Sequence, residues 1–181
     1  MFTREKLIEA LHRYHSDFSE ERDFREAFLT LLQHPRCFFR DHMPGHITAS
    51  AWIIDEQAEF ILLTLHAKLN RWLQPGGHAD GDEDVLAVAL REVEEETGLK
   101  GVKPLQESVF DIDVHTIPAR KDFPEHLHYD VRFLFRASRE EPLIITSESH
   151  ALAWKHVSDL PRVTANNDSM LRMAAKVKKL F

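Results

Sequence analysis

Apolar positions recur along the chain in two periods, and the change from one to the other divides it. Over residues 3–15, Leu7, Ile8, Leu11 and Tyr14 fall at helical spacing behind an N-cap candidate, Thr3. Ser19-Glu20-Glu21 opens a second helix whose apolar face is Phe24, Ala27, Phe28, Leu31 and Leu32, and His34-Pro35 ends it. This predicts a helical hairpin over residues 1–36. Such a hairpin can pack on a sheet edge, form a homodimer surface or roof a site. Beyond it the pattern turns β-rich, with strands predicted at 46–54, 60–65, 102–114, 129–135 and 152–157. Pro75-Gly76-Gly77 predicts a sharp turn. A closing helix is predicted over 167–180, with basic residues near its end. The mixture indicates an α/β fold.

One helical pattern interrupts the strands, and it carries the densest chemistry. Val85, Leu86, Ala89, Leu90 and Val93 form an apolar stripe. Asp80, Gly81 and Asp82 are turn and N-cap types, and Glu83 and Asp84 put negative charge in a first turn, where the helix dipole favours it. Gly98 suits the left-handed position just past the helix, with apolar Leu99 following. Glu92 stands three residues before Glu95 and four before Glu96, so the three carboxylates can share one face. Arg91 can brace Glu95 or Glu83. Three like charges repel unless a cation lies among them, and oxygen-only donors suit a hard dication, Mg²⁺ or Mn²⁺. Taken alone, Glu94-Glu95-Glu96 reads more plainly as a solvated helix face. Glu94 falls off the shared face and keeps that reading.

Gly77, Glu83, Arg91, Glu92, Glu95, Glu96 and Gly98, with apolar Val93 and Leu99, stand at the spacing of the Nudix box. The chain therefore resembles that superfamily of metal-dependent pyrophosphohydrolases. The resemblance implies an α/β/α sandwich around a mixed β-sheet, with 37–181 as the hydrolase domain and 1–36 as a helical extension. It implies that Glu92, Glu95, Glu96 and the backbone carbonyl of Gly77 hold the metal, while Arg91 and Glu83 brace loop and helix. The general base in such enzymes comes from the box or from a later loop. Glu92 and Glu95 are the candidates in the box, and Glu148 is the candidate outside it. Stretches 44–51, 71–78 and 115–130 fall around the box in an order that resembles a bacterial group with a helical N-terminal extension and no agreed substrate.

The implied reaction cleaves the pyrophosphate of a nucleoside diphosphate linked to another group. The family's ADP-ribose branch places a proline where His115 stands, and its dinucleoside polyphosphate branch places a tyrosine where Thr116 and Ile117 stand. Neither marker is met. Two alternatives share the fold. An isopentenyl-diphosphate-isomerase-like enzyme expects a cysteine close to the box, whereas Cys37 lies far upstream. A non-catalytic nucleotide-binding module can lose box carboxylates, all of which this chain keeps.

Composition narrows the setting. A length of 181 residues suits one domain, and a net charge of −7 argues against a general nucleic-acid or anionic-membrane binder. The single cysteine excludes an internal disulfide and a cysteine-rich zinc site; beside Phe38 and Phe39 it reads as a buried thiol. No apolar run suits a membrane span, and the acid-containing N-terminus lacks a signal-peptide core. A cytoplasmic enzyme acting on a small diphosphate is the expectation.

A second constellation follows the box. If 126–133 is extended, His126, His128, Asp130 and Arg132 point one way and Leu127, Tyr129, Val131 and Phe133 the other. The second set reads as core. The first can line a substrate pocket with His115, Arg120 and His78, gripping phosphate oxygens. The same His-x-His spacing can hold Zn²⁺ or a second Mg²⁺, or form a polar exposed face.

Overall fold

The computed structural model describes every residue except Asp122 and Glu148. Two helices come first, α1 (Arg4–Arg13) and α2 (Glu20–Leu31). Four strands follow: β1 (Gly45–Ile54), β2 (Phe60–His66), β3 (Arg71–Leu73) and β4 (Gly76–His78). Helix α3 (Val85–Thr97) precedes β5 (Lys103–Pro104), β6 (Asp111–Ile117), β7 (His126–Arg136) and β8 (Ser149–His156). A short α4 (Leu160–Val163) and α5 (Asp168–Leu180) close the chain. The described residues form an eight-stranded sheet in the order β3-β2-β1-β7-β5, with β4 on β1, β6 on β7 and β8 on β2. This is a mixed sheet with helices, and the two predicted N-terminal helices are present.

The chain divides into two compact units. The first comprises 1–50, 77–89 and 108–133. Within it, Leu7, Leu11 and Phe28 are fully buried, and the Phe28 ring meets Tyr129 edge-to-face at 5.3 Å. Buried Glu21 joins α2 to β6. It accepts from the Tyr14 hydroxyl at 2.6 Å, from the Ile112 N–H at 3.3 Å, and from the Ser16 hydroxyl. Gly45 permits the close approach of β1 and β7, since a Cβ there would lie 2.6 Å from the Leu127 carbonyl oxygen. The second unit comprises 51–76, 90–107 and 134–181. There β2 is sandwiched in the sheet, paired antiparallel with β8 from Phe60↔His156 to His66↔Ser149 and with β3 at Thr64↔Leu73. Its core includes Trp52, Ile61, Leu63 and Phe135, and α5 buries Met170, Met173 and Val177 behind an Asn167 cap on the Met170 N–H.

Three local expectations are corrected. The strand predicted over 102–114 is two strands, β5 and β6. Polar Gln106-Glu107-Ser108 loops out of the alternation: the Leu105 N–H donates to Leu134 and the Phe110 N–H to Arg132, so the chain leaves β7 and rejoins it. The turn expected at Pro75-Gly76-Gly77 is a bend at Pro75 alone, because Gly76–His78 is strand β4 on β1. The left-handed residues come after it, Asp80 at φ 51° and Gly81 at φ 92°, where the Phe39 ring presses against the glycine. Glu83 and Asp84 precede α3 rather than fill its first turn; the Asp84 carboxylate caps it by accepting from the Ala87 N–H at 3.2 Å.

Candidate active site

The carboxylates of helix α3 differ in burial. Glu92 and Glu96, one turn apart, are buried, whereas Glu94 and Glu95 are exposed. The burial of Val85, Val88, Ala89 and Val93 fixes the helix rotation that produces this split. Leu86 and Leu90, counted in the stripe from the sequence, are only half-buried, and Val88 joins it. Arg91 donates to Glu92 at 2.8 Å and approaches Glu95 at 3.7 Å, bridging one buried and one exposed carboxylate. Glu96 accepts from the Gly76 N–H at 2.9 Å, so the helix is tied to the strand that leads into Gly77. Gly98 takes the expected left-handed conformation at φ 75°, and a Cβ there would meet Ile144 at 2.7 Å.

Glu83 has a partner that sequence reasoning missed. Arg4 of α1 donates to it at 2.6 Å and to the Pro35 carbonyl at 3.0 Å, with its guanidinium 5.1 Å from the Phe38 ring centre. The first helix therefore braces the loop before α3. No local sequence signal links residues so far apart. Cys37 is fully buried nearby, as read from the sequence, and burial pushes its thiol up to about 11. It stays protonated at neutral pH.

The second constellation folds inward. Along β1, His46, Thr48 and Ser50 form a polar row on an otherwise apolar strand, and it faces the polar row of β7. The Thr48 and Ser50 hydroxyls donate to Asp130 at 3.1 and 2.7 Å. Arg132, 2 % exposed, contacts Asp130 at 2.7 Å, Asp111 at 3.1 Å and Asp113 at 3.2 Å. Burial works against its charge, but the three carboxylates outweigh that and hold the guanidinium charged. Asp130 and Arg132 are thus interior groups, and this row is not an exposed strand face.

The histidines gather ahead of that network. His46 is fully buried; His126 is nearly so; His78 and His128 are half-buried. Ligating nitrogens of His46, His78 and His128 all lie within 4.8 Å of one another. His126 Nε2 is 3.3 Å from His128 Nε2. His115, more exposed, is 2.9 Å from Asp113 through Nδ1, with its ring 5.6 Å from that of His128. Burial, and then the neighbouring histidines, lower His128 to about 2; burial chiefly lowers His46 to about 4, and His78 also falls. These rings are uncharged near neutrality. His46 was missed as a site residue, though its period-two row with Thr48 and Ser50 was legible. Arg120 is exposed in the loop after β6, its backbone paired with Phe123. Glu148 lies outside the described residues.

The family model described as NUDIX domain matches residues 44–175. A bis(5'-nucleosyl)-tetraphosphatase (asymmetrical) of Rattus norvegicus is 45% identical over 42 residues, 23% of this chain. The match spans only 29% of that relative's length. Among solved structures, a C. elegans Ap4A hydrolase in binary complex aligns with TM-score 0.60 at 16% identity, covering 74% of this chain and 96% of that one. A NUDIX-family hydrolase from Clostridium perfringens aligns with TM-score 0.55 at 23% identity, covering 75% and 98%. The NUDIX domain of Shewanella oneidensis NrtR, complexed with ADP ribose, aligns with TM-score 0.56 at 16% identity, covering 75% and 88%. These likenesses establish the fold.

Proposed function

The chain belongs to the NUDIX domain family, and we propose that it hydrolyses the diphosphate bond of a nucleoside diphosphate linked to another group. The observation that carries this reading is the carboxylate set on α3, complete and braced: Arg91 spans Glu92 and Glu95, and Glu96 is fixed to the Gly76 backbone. Its donors are all oxygens, which fits Mg²⁺ or Mn²⁺. Glu92, Glu95 and Glu96 would hold the ion, which when bound neutralises phosphate charge and makes water a better nucleophile.

The chain's own residues do the rest. Arg91 holds Glu92 and Glu95 at a fixed separation. Arg4 and Glu83 pin the loop leading to α3, so residues 1–36 serve the hydrolase domain at 37–181. A box carboxylate, Glu92 or Glu95, accepts the proton of the attacking water, with Glu148 as the rival base. His78, His115, His126, His128 and Arg120 are the candidate contacts to the substrate. Arg132 holds Asp113, which in turn holds His115. The short match to the tetraphosphatase and the likeness to the Ap4A hydrolase favour testing dinucleoside polyphosphates first, although Thr116 and Ile117 stand where that branch carries a tyrosine. A buried, protonated Cys37 gives an isomerase no support.

The test is phosphate release, through a coupled phosphatase, from nucleoside di- and triphosphates, nucleotide sugars, ADP-ribose and dinucleoside polyphosphates, with Mg²⁺ and with Mn²⁺. One preferred substrate, lost in Glu95→Gln, is the expected result. Nucleotide binding without turnover on any member would replace the hydrolase with a binding module.

A further inference from the structure

We propose that His46, His78 and His128 form a second metal site, selective for a borderline transition-metal dication such as Zn²⁺ and separate in chemistry from the carboxylate set on α3. Three strands supply the ligands, β1, β4 and β7, and all three histidines belong to the first compact unit. Their ligating nitrogens already converge to within 4.8 Å of one another. A zinc ion with nitrogen ligands at about 2.0–2.1 Å holds them about 3.3 Å apart in a tetrahedron. His126 Nε2 lies at that separation from His128 Nε2, 3.3 Å, beside the trio. The widest pair has to close by about 1.5 Å, within reach of side-chain rotation at half-buried His78 and His128.

The hydrogen bonding supports ligation over packing. His46 is fully buried, yet neither of its ring nitrogens has a hydrogen-bond partner of ordinary geometry among the described residues. Orphaned buried nitrogens are costly, and metal ligation satisfies one of them outright. His126 Nδ1 is 2.9 Å from the Pro124 carbonyl, which accepts only from N–H, and its Nε2 is turned towards His128. A backbone carbonyl fixing one nitrogen while the other ligates is a common outer-shell arrangement. An all-nitrogen set disfavours Mg²⁺ and suits zinc.

The test uses tag-free, chelator-treated full-length chain and Zn²⁺ alone, in competition with a chromogenic chelator and without nucleotide. One equivalent is expected to bind. His128→Ala should weaken it roughly a hundredfold or more, since even outer-shell losses cost 10–100-fold, while Glu95→Gln leaves it little changed. His78→Asn, at a half-buried position, is the second variant: it should weaken zinc with the thermal melt of the metal-free protein unaltered. Co²⁺ gives a separate readout, strong visible absorption for a tetrahedral nitrogen site against weak absorption for six oxygens. Zinc binding that survives both histidine substitutions, binding lost in Glu95→Gln, or a weak octahedral-type Co²⁺ spectrum overturns the assignment. No nucleotide is present, so the outcome is independent of the hydrolase reading.

Discussion

Arg132→Leu is the substitution that most sharply separates a structural role from a substrate-binding one. The guanidinium is 2 % exposed and touches Asp130, Asp111 and Asp113 at 2.7, 3.1 and 3.2 Å. Leucine fills much of the volume but leaves three buried carboxylates facing one another without the guanidinium between them. Removing one partner of a buried ion network costs about 3–5 kcal/mol, because the remaining charge stays desolvated. For a domain of this size that lowers Tm by roughly 6–20 °C. Urea and thermal unfolding followed by circular dichroism give the number. A loss below about 1 kcal/mol, together with a many-fold rise in KM for the preferred substrate, would refute the structural assignment and make Arg132 a substrate ligand.

Glu95→Gln should reduce turnover roughly a hundredfold or more with an unchanged melt, since its side chain is 61% exposed and packs no core; turnover equal to wild type would move the chemistry off the box. Arg4→Ala removes the bonds to Glu83 and the Pro35 carbonyl and should destabilise by about 1–3 kcal/mol, read by urea unfolding; no change would show that α1 does not brace the box loop. Metal-free wild type should lose stability as pH falls below about 6.5. His46, at about 4 folded against 6.5 unfolded, binds fewer protons in the folded state across that window. Its contribution is present above 6.5 and lost on the way down to 4, roughly 3 kcal/mol in all. His78 and His128 act in the same direction. A melt flat from pH 7 to 4.5 would contradict the buried neutral cluster.

The chain by itself determined the elements whose signals are local. Helical spacing marked α1, α2, α3 and α5, and β-rich runs marked β1, β2, β7 and β8. Gly98 was legible as a helix stop because only its left-handed conformation satisfies the end. The family followed from the box spacing, since fixed helical offsets put Glu92, Glu95 and Glu96 in reach of one another. Only the tertiary structure decided which of those carboxylates is buried, because that depends on which side of α3 meets the core. It also decided that Arg4 pairs with Glu83 and that His46 joins His78 and His128. Those contacts link residues tens of positions apart, and a sequence pattern carries no information about which distant strand will lie alongside. Arg132 shows the same limit: its period-two position gave its face, but a buried cage of three aspartates exists only once β6 pairs with β7.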